Sequence, residues 1–77
     1  MQLEVLSVKG TVLSCEVSSV VLPGLQGSFG LLPGHTPFLS ILRKGHLYYT
    51  DTEEKSLDID GGFVQVQDDK ISVCLMV

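Results

Sequence analysis

The chain has 77 residues, 44% of them hydrophobic, and a formal net charge of −4. That length provides for one domain, which buries about 60–65% of the surface its unfolded chain exposes. Its basic residues, Lys9, Arg43, Lys44, Lys55 and Lys70, are scattered, which excludes the clustered cationic surface that nucleic-acid or anionic-membrane binding requires.

Taken in chain order, the apolar residues recur with period two rather than 3.6, which predicts strands. Leu3 and Val5 alternate with Gln2 and Glu4, and Leu13, Cys15 and Val17 with Ser14, Glu16 and Ser18. A break near Ser18-Ser19 shifts the phase as a bulge does, so that Val20 and Leu22 take the inward positions. Leu39 and Ile41 are expected to point inward, opposite to Ser40. Leu47 and Tyr49 then alternate with His46 and Tyr48, Leu57 and Ile59 with Asp58 and Asp60, and Val64 and Val66 with Gln65 and Gln67. The last run sets Ile71, Val73 and Leu75 against Ser72, Cys74 and Met76. Lys9-Gly10, Pro23-Gly24, Lys44-Gly45, Asp51 to Glu54, Gly61-Gly62 and Asp68-Asp69 punctuate these runs as turns. Short strands at this spacing predict an all-β fold, an antiparallel β-sandwich of two sheets filling residues 1–77 as one domain. The apolar surplus is either core or a surface kept for a partner.

The chemistry of catalysis is missing from the pattern. His35 and His46 have no metal-ligand spacing, and neither HExxH nor CxxC occurs. Asp58 and Asp60 share a strand face but read as a solvated face, and Glu53-Glu54 falls in a turn. Cys15 and Cys74 lie far apart in apolar runs and read as buried thiols rather than a disulfide. No enzyme activity, cofactor or metal is expected. No apolar run approaches the ~20 residues that span a bilayer, and no signal-peptide pattern opens the chain. A soluble cytosolic chain is expected, touching a membrane only through another protein.

One segment carries more conformational specification than a hairpin loop needs: Gly27-Ser28-Phe29-Gly30-Leu31-Leu32-Pro33-Gly34-His35-Thr36-Pro37. Its glycines and prolines alternate with bulky apolar residues, which points to a shaped contact surface. Gly30 and Gly34 are the candidates there for φ > 0. No Lys-Ser/Thr follows, so it is not a phosphate loop.

In this order the residues resemble a known family, the epsilon subunit of bacterial F-type ATP synthases, in its N-terminal β-sandwich domain. Leu3-Glu4-Val5 through Gly10-Thr11-Val12, the run Glu16 to Gly24, Gly27 to Leu39 as a GxxGxxPGHxPxL pattern, Asp60-Gly61-Gly62-Phe63-Val64-Gln65-Val66 and Lys70-Ile71-Ser72-Val73 carry the likeness. The resemblance implies a non-catalytic rotor subunit at the foot of the central stalk. It would couple ion-driven rotation of the membrane c-ring to ATP synthesis by binding the gamma subunit and the c-ring, on the cytoplasmic face of the bacterial inner membrane. It implies a c-ring contact at Leu25, Gln26, Gly27, Ser28, Phe29, Gly30 and Leu31, and a gamma contact at His35, Thr36 and Ser40. Ser28 stands where many members carry an acidic residue. The c-ring contact is therefore expected to rest on Phe29, Gln26 and loop amides rather than on charge. Many members continue into a two-helix hairpin that inhibits ATP hydrolysis, and no helical segment appears before Val77. A chain complete there is expected to serve assembly and coupling alone. The competing reading is a free-standing β-sandwich module for another protein or ligand, since fold does not fix function.

Overall fold

The computed structural model describes residues 1–34 and 36–76; His35 and Val77 lie outside the described residues. Strands β1 (Gln2–Ser7), β2 (Gly10–Glu16), β3 (Ser19–Gly24), β4 (Gly27–Leu31), β5 (Phe38–Leu42), β6 (Gly45–Thr50), β7 (Glu54–Ile59), β8 (Gly62–Gln67) and β9 (Lys70–Leu75) make an all-β architecture. They follow the order β2-β1-β9-β8-β5-β3-β6-β7, with β4 on the side of β3. No helix in the described chain is long and apolar enough to cross a membrane.

Two departures from the expected antiparallel pair of sheets have physical causes. β1 and β9 run parallel, Leu3 opposite Ile71 and Val5 opposite Val73, so the sheet is mixed. β1 hydrogen-bonds β2 along one edge, and the last strand closes the other edge in the same direction. The two layers are also one curled sheet. β2-β1-β9-β8-β5 and β4-β3-β6-β7 are joined where Gly24 pairs with Leu42. The sandwich arises because the two layers face one another across a shared core.

That core takes Leu3, Val5, Val64, Val66, Ile71 and Val73 from the first layer and Val20, Leu22, Leu31, Leu47, Tyr49 and Ile59 from the second. Burying each such aliphatic side chain stabilises the fold by about 1.5–3 kcal/mol, and no polar or charged residue is buried with them among the described residues. The inward phase expected from alternation holds along β1, β3, β6, β8 and β9.

β5 inverts the expectation. Phe38, Ser40 and Leu42 pair with Val66, Val64 and Gly62 and so share their inward face. Leu39 and Ile41 consequently point out, 67% and 60% exposed. The apolar surplus is thus spent partly outside. Ile41, Phe63, Cys74 and Leu6 lie in one cross-strand row on the outer face of β5, β8, β9 and β1.

The break at Ser18-Ser19 is a change of layer rather than a bulge. Val17 N–H donates to the carbonyl of Met1 and Ser18 N–H to that of Thr50, handing the chain from one layer to the other. The bulge lies elsewhere: Val5 pairs with Leu13 but Leu6 with Thr11, leaving Val12 over. Both thiols are free and only half-buried, not buried as expected; desolvation pushes the Cys15 thiol up.

Candidate functional site

The first five residues of the segment expected to be a loop form strand β4. β3 and β4 form a hairpin in which Val20 pairs with Leu31, Leu22 with Phe29 and Gly24 with Gly27, leaving Leu25-Gln26 as a two-residue turn. Pro23 and Gly24, expected as the turn, are buried at the end of β3. Gly24 is dictated by close approach: a Cβ there would lie 2.8 Å from the carbonyl oxygen of Gly27 and 2.9 Å from the Phe29 ring. The ring uses that space and meets Phe38 edge-on, centroids 5.8 Å apart. Gly24, Leu25, Gln26, Gly27, Ser28 and Phe29, together with Ser40 and Ile41 of β5, line an open groove of about 490 Å³.

The expected site residues fall into separate places. Leu25, Gln26, Gly27, Ser28 and Gly30 are exposed along the hairpin. Phe29 is half-buried on the core side, and Leu31 is 1% exposed, so its side chain belongs to the core. Gly30 is an ordinary strand residue without positive φ, whereas Gly34 has φ +84°. β4 has five residues and at ~3.3 Å per residue carries the chain about 13 Å. It runs from the end marked by Gly24, Leu42 and Gly62 to the end marked by Asp68 and Asp69. There Gly34 N–H donates to the Asp69 carboxylate at 3.2 Å. Thr36 is exposed near this second end, Ser40 is half-buried beside the hairpin groove, and His35 lies outside the described residues. Thr36 thus precedes β5 and Ser40 lies within it.

Two residues that sequence reasoning passed over hold these segments. Asp69 read only as a turn residue. Arg43, in β5's exit, sends its backbone N–H to the carbonyl of Pro23 at 2.9 Å and its Nε–H to the carbonyl of Gly24 at 2.9 Å. The one signal for Arg43 was its place directly after a strand, ahead of Lys44-Gly45; nothing local shows a reach of 19 residues back along the chain.

Away from the hairpin, the exposed His46 and Asp58 side chains pair across β6 and β7. The Asp51–Glu54 turn is self-capped. The Asp51 carboxylate accepts from the Glu53 N–H at 3.0 Å and from the Lys55 ammonium at 3.1 Å. The backbone donor, then Lys55, holds the Asp51 carboxyl down at about 2 from 3.8. A carboxyl depressed by folding stabilises the fold above its unfolded pKa and loses that contribution as pH falls through the folded value. The turn's contribution is therefore complete above 3.8 and fades toward about 2. A carboxyl NMR titration is expected to place Asp51 near the lower value, and Asp51→Asn to remove the pH dependence of this turn; an Asp51 midpoint at the ordinary value would contradict the capping. Among the described residues, no three His, Cys, Asp or Glu side chains are placed to hold a metal ion.

The strands define a curled, mixed β-sandwich domain whose β3–β4 hairpin is braced by Arg43. The chain belongs to the ATP synthase delta/epsilon chain β-sandwich domain family, whose profile matches residues 1–76. It is 44% identical over 75 residues to an ATP synthase epsilon chain of Desulfosudis oleivorans, covering 95% of this chain and 56% of the relative. To an ATP synthase epsilon chain of Neisseria meningitidis it is 40% identical over 76 residues, covering 95% and 54%. The chain thus spans about half the length of the curated relatives it matches. A chain in the Tetrahymena thermophila mitochondrial ATP synthase central stalk/c-ring structure superposes with TM-score 0.85 at 19% identity, over 100% of this chain and 63% of that one. A chain of the Euglena gracilis mitochondrial ATP synthase superposes with TM-score 0.88 at 23% identity, over 97% and 49%. These two likenesses concern the fold.

Proposed function

We propose that the chain is a non-catalytic stalk subunit of an F-type ATP synthase, coupling rotation of the c-ring to ATP synthesis through contact with the ring and with gamma. The observation that carries this reading is family membership along residues 1–76. The relatives' names as epsilon chains support it. The turn Leu25-Gln26, with the exposed residues Gly27 and Ser28, is the c-ring contact. Leu25 is 65% exposed at the end of the hairpin, a hydrophobic tip suited to a protein surface. Thr36 and Ser40, with His35, remain the gamma candidates. The subunit sits peripherally on the cytoplasmic side of the membrane, held there by the complex.

A photocrosslink tests the contact. With Cys15 and Cys74 replaced by alanine, benzophenone maleimide is attached through Gln26→Cys, or through Asp68→Cys at the opposite end, and the chain is assembled into the complex. The Gln26→Cys chain is expected to give an adduct with the c subunit, and Asp68→Cys none. No c-ring adduct from Gln26→Cys, together with failure to co-purify with co-expressed gamma, would favour the free-standing module.

A further inference from the structure

We infer that Arg43 is the positioning residue of the hairpin, setting the direction in which Leu25-Gln26 projects from the sandwich; this rests on the docking reading above. β4 hydrogen-bonds only to β3 among the described strands, so β4 is the open edge of the hairpin, and near the turn β3 has a second partner only where Gly24 meets Leu42. The layer carrying it meets the other layer through the pair Gly24–Leu42. Arg43 follows Leu42 directly and doubles that junction. Its main chain takes the Pro23 carbonyl and its guanidinium the Gly24 carbonyl, both at 2.9 Å. The bond to Gly24 is charge-assisted, partly shielded from water, and falls on the last residue before the turn. Displacement at Gly24 is carried outward to the tip, while Phe29, seated over Gly24 and against Phe38, resists motion from the other side.

The covalent position of the donor makes the inference testable. Nε of arginine is the first atom beyond Cδ, and the amide nitrogen of glutamine occupies the same position. Lysine keeps the charge but has a methylene there and places its ammonium one atom further out. If Arg43 acts through Gly24, glutamine replaces it and lysine does not. If it acts as a charge facing a partner, the ranking reverses.

Arg43→Ala, Arg43→Lys, Arg43→Gln and, as a tip variant, Leu25→Asp are assembled into the complete synthase and reconstituted in vesicles. Protons pumped per ATP hydrolysed are measured alongside chain occupancy. Amide exchange is measured on the free chain. Arg43→Ala and Arg43→Lys are expected to pump about twofold fewer protons per ATP at full occupancy. Their Gly27 amide, paired with Gly24 at the end of the ladder, is expected to exchange about tenfold faster, with Leu22 and Val64 amides unchanged. Arg43→Gln restores both. Coupling that survives in Arg43→Ala while Leu25→Asp uncouples overturns the role of Arg43 alone, as does rescue by lysine but not glutamine. Coupling unaffected by Leu25→Asp overturns the docking reading and the Arg43 role with it.

Discussion

Gly62→Ala is expected to leave the chain without a cooperative unfolding transition. A Cβ at this position would lie 2.1 Å from the carbonyl oxygen of Cys74, 3.0 Å from its carbonyl carbon and 3.1 Å from Cα of Leu75. All three are backbone atoms of β9, which no rotamer change can move aside. Gly62 also holds φ +151°, which L side chains rarely adopt. Relief therefore requires parting β8 from β9 where Gly62 pairs with Leu75. That pairing neighbours Val64–Val73 in the core. Such a backbone clash costs about 4 kcal/mol or more, the whole of the roughly 3–5 kcal/mol that a core of this size supplies. Gly30→Ala is the matched control. Its Cβ would meet only the carbonyl oxygen of Val20 at 3.9 Å, so its urea midpoint is expected to stay within about 0.5 M of the parent. Circular dichroism of the two variants in urea decides. A Gly62→Ala transition matching that of Gly30→Ala would refute the argument.

The contrast between those two glycines marks how far the sequence could be read. Gly30 attracted the φ > 0 expectation because it sits in a glycine-rich run, yet it is a plain strand residue. Gly62 read as part of a tight turn, and its real constraint is the approach of β9, a long-range fact that no local pattern encodes. The same distinction runs through the strands. Where one face is polar, as in Gln2-Leu3-Glu4-Val5 or Val64-Gln65-Val66-Gln67, alternation alone assigned the buried side. In Phe38-Leu39-Ser40-Ile41-Leu42 both faces are apolar, so only pairing with β8 decides, and it turns Leu39 and Ile41 outward. The parallel β1–β9 pair was invisible for a related reason. Its partners come from the two ends of the chain, and parallel pairing has no turn to announce it.

The candidate site was legible in outline and not in mechanism. Leu25-Gln26 emerged as the exposed tip, but Phe29 and Leu31, both expected to touch the c-ring, face inward from β4. The segment that looked like one surface runs between opposite ends of the sandwich. A chain passing from a hairpin tip to an anchored loop leaves two segments held at opposite ends of one small body. Asp69 fixes one of these and Arg43 the other.

Leu22→Ala is expected to cost about 3–5 kcal/mol, and Ile41→Ala within about 0.5 kcal/mol, although each substitution trims a large aliphatic side chain from a strand. Leu22 is 0% exposed and lies in the shared core, so its truncation loses transfer energy and leaves a cavity that close-packed neighbours only partly refill. Ile41 is 60% exposed on the outer face of β5 and removes little from the interior. Leu22 also pairs with Phe29 and directly precedes Pro23-Gly24, so the cavity opens beneath the hairpin's base. Urea unfolding of both variants measures the difference. The Leu22→Ala midpoint should fall toward zero denaturant while that of Ile41→Ala holds. If Ile41→Ala instead lost stability on the scale of a core leucine, the outward phase of β5 would be wrong. The alternation first expected for Leu39 and Ile41 would then stand. With the phase as observed, Ile41→Ala keeps the fold intact and alters only a wall of the groove beside Leu25-Gln26. It can therefore report on partner contact without the confounding effect of unfolding.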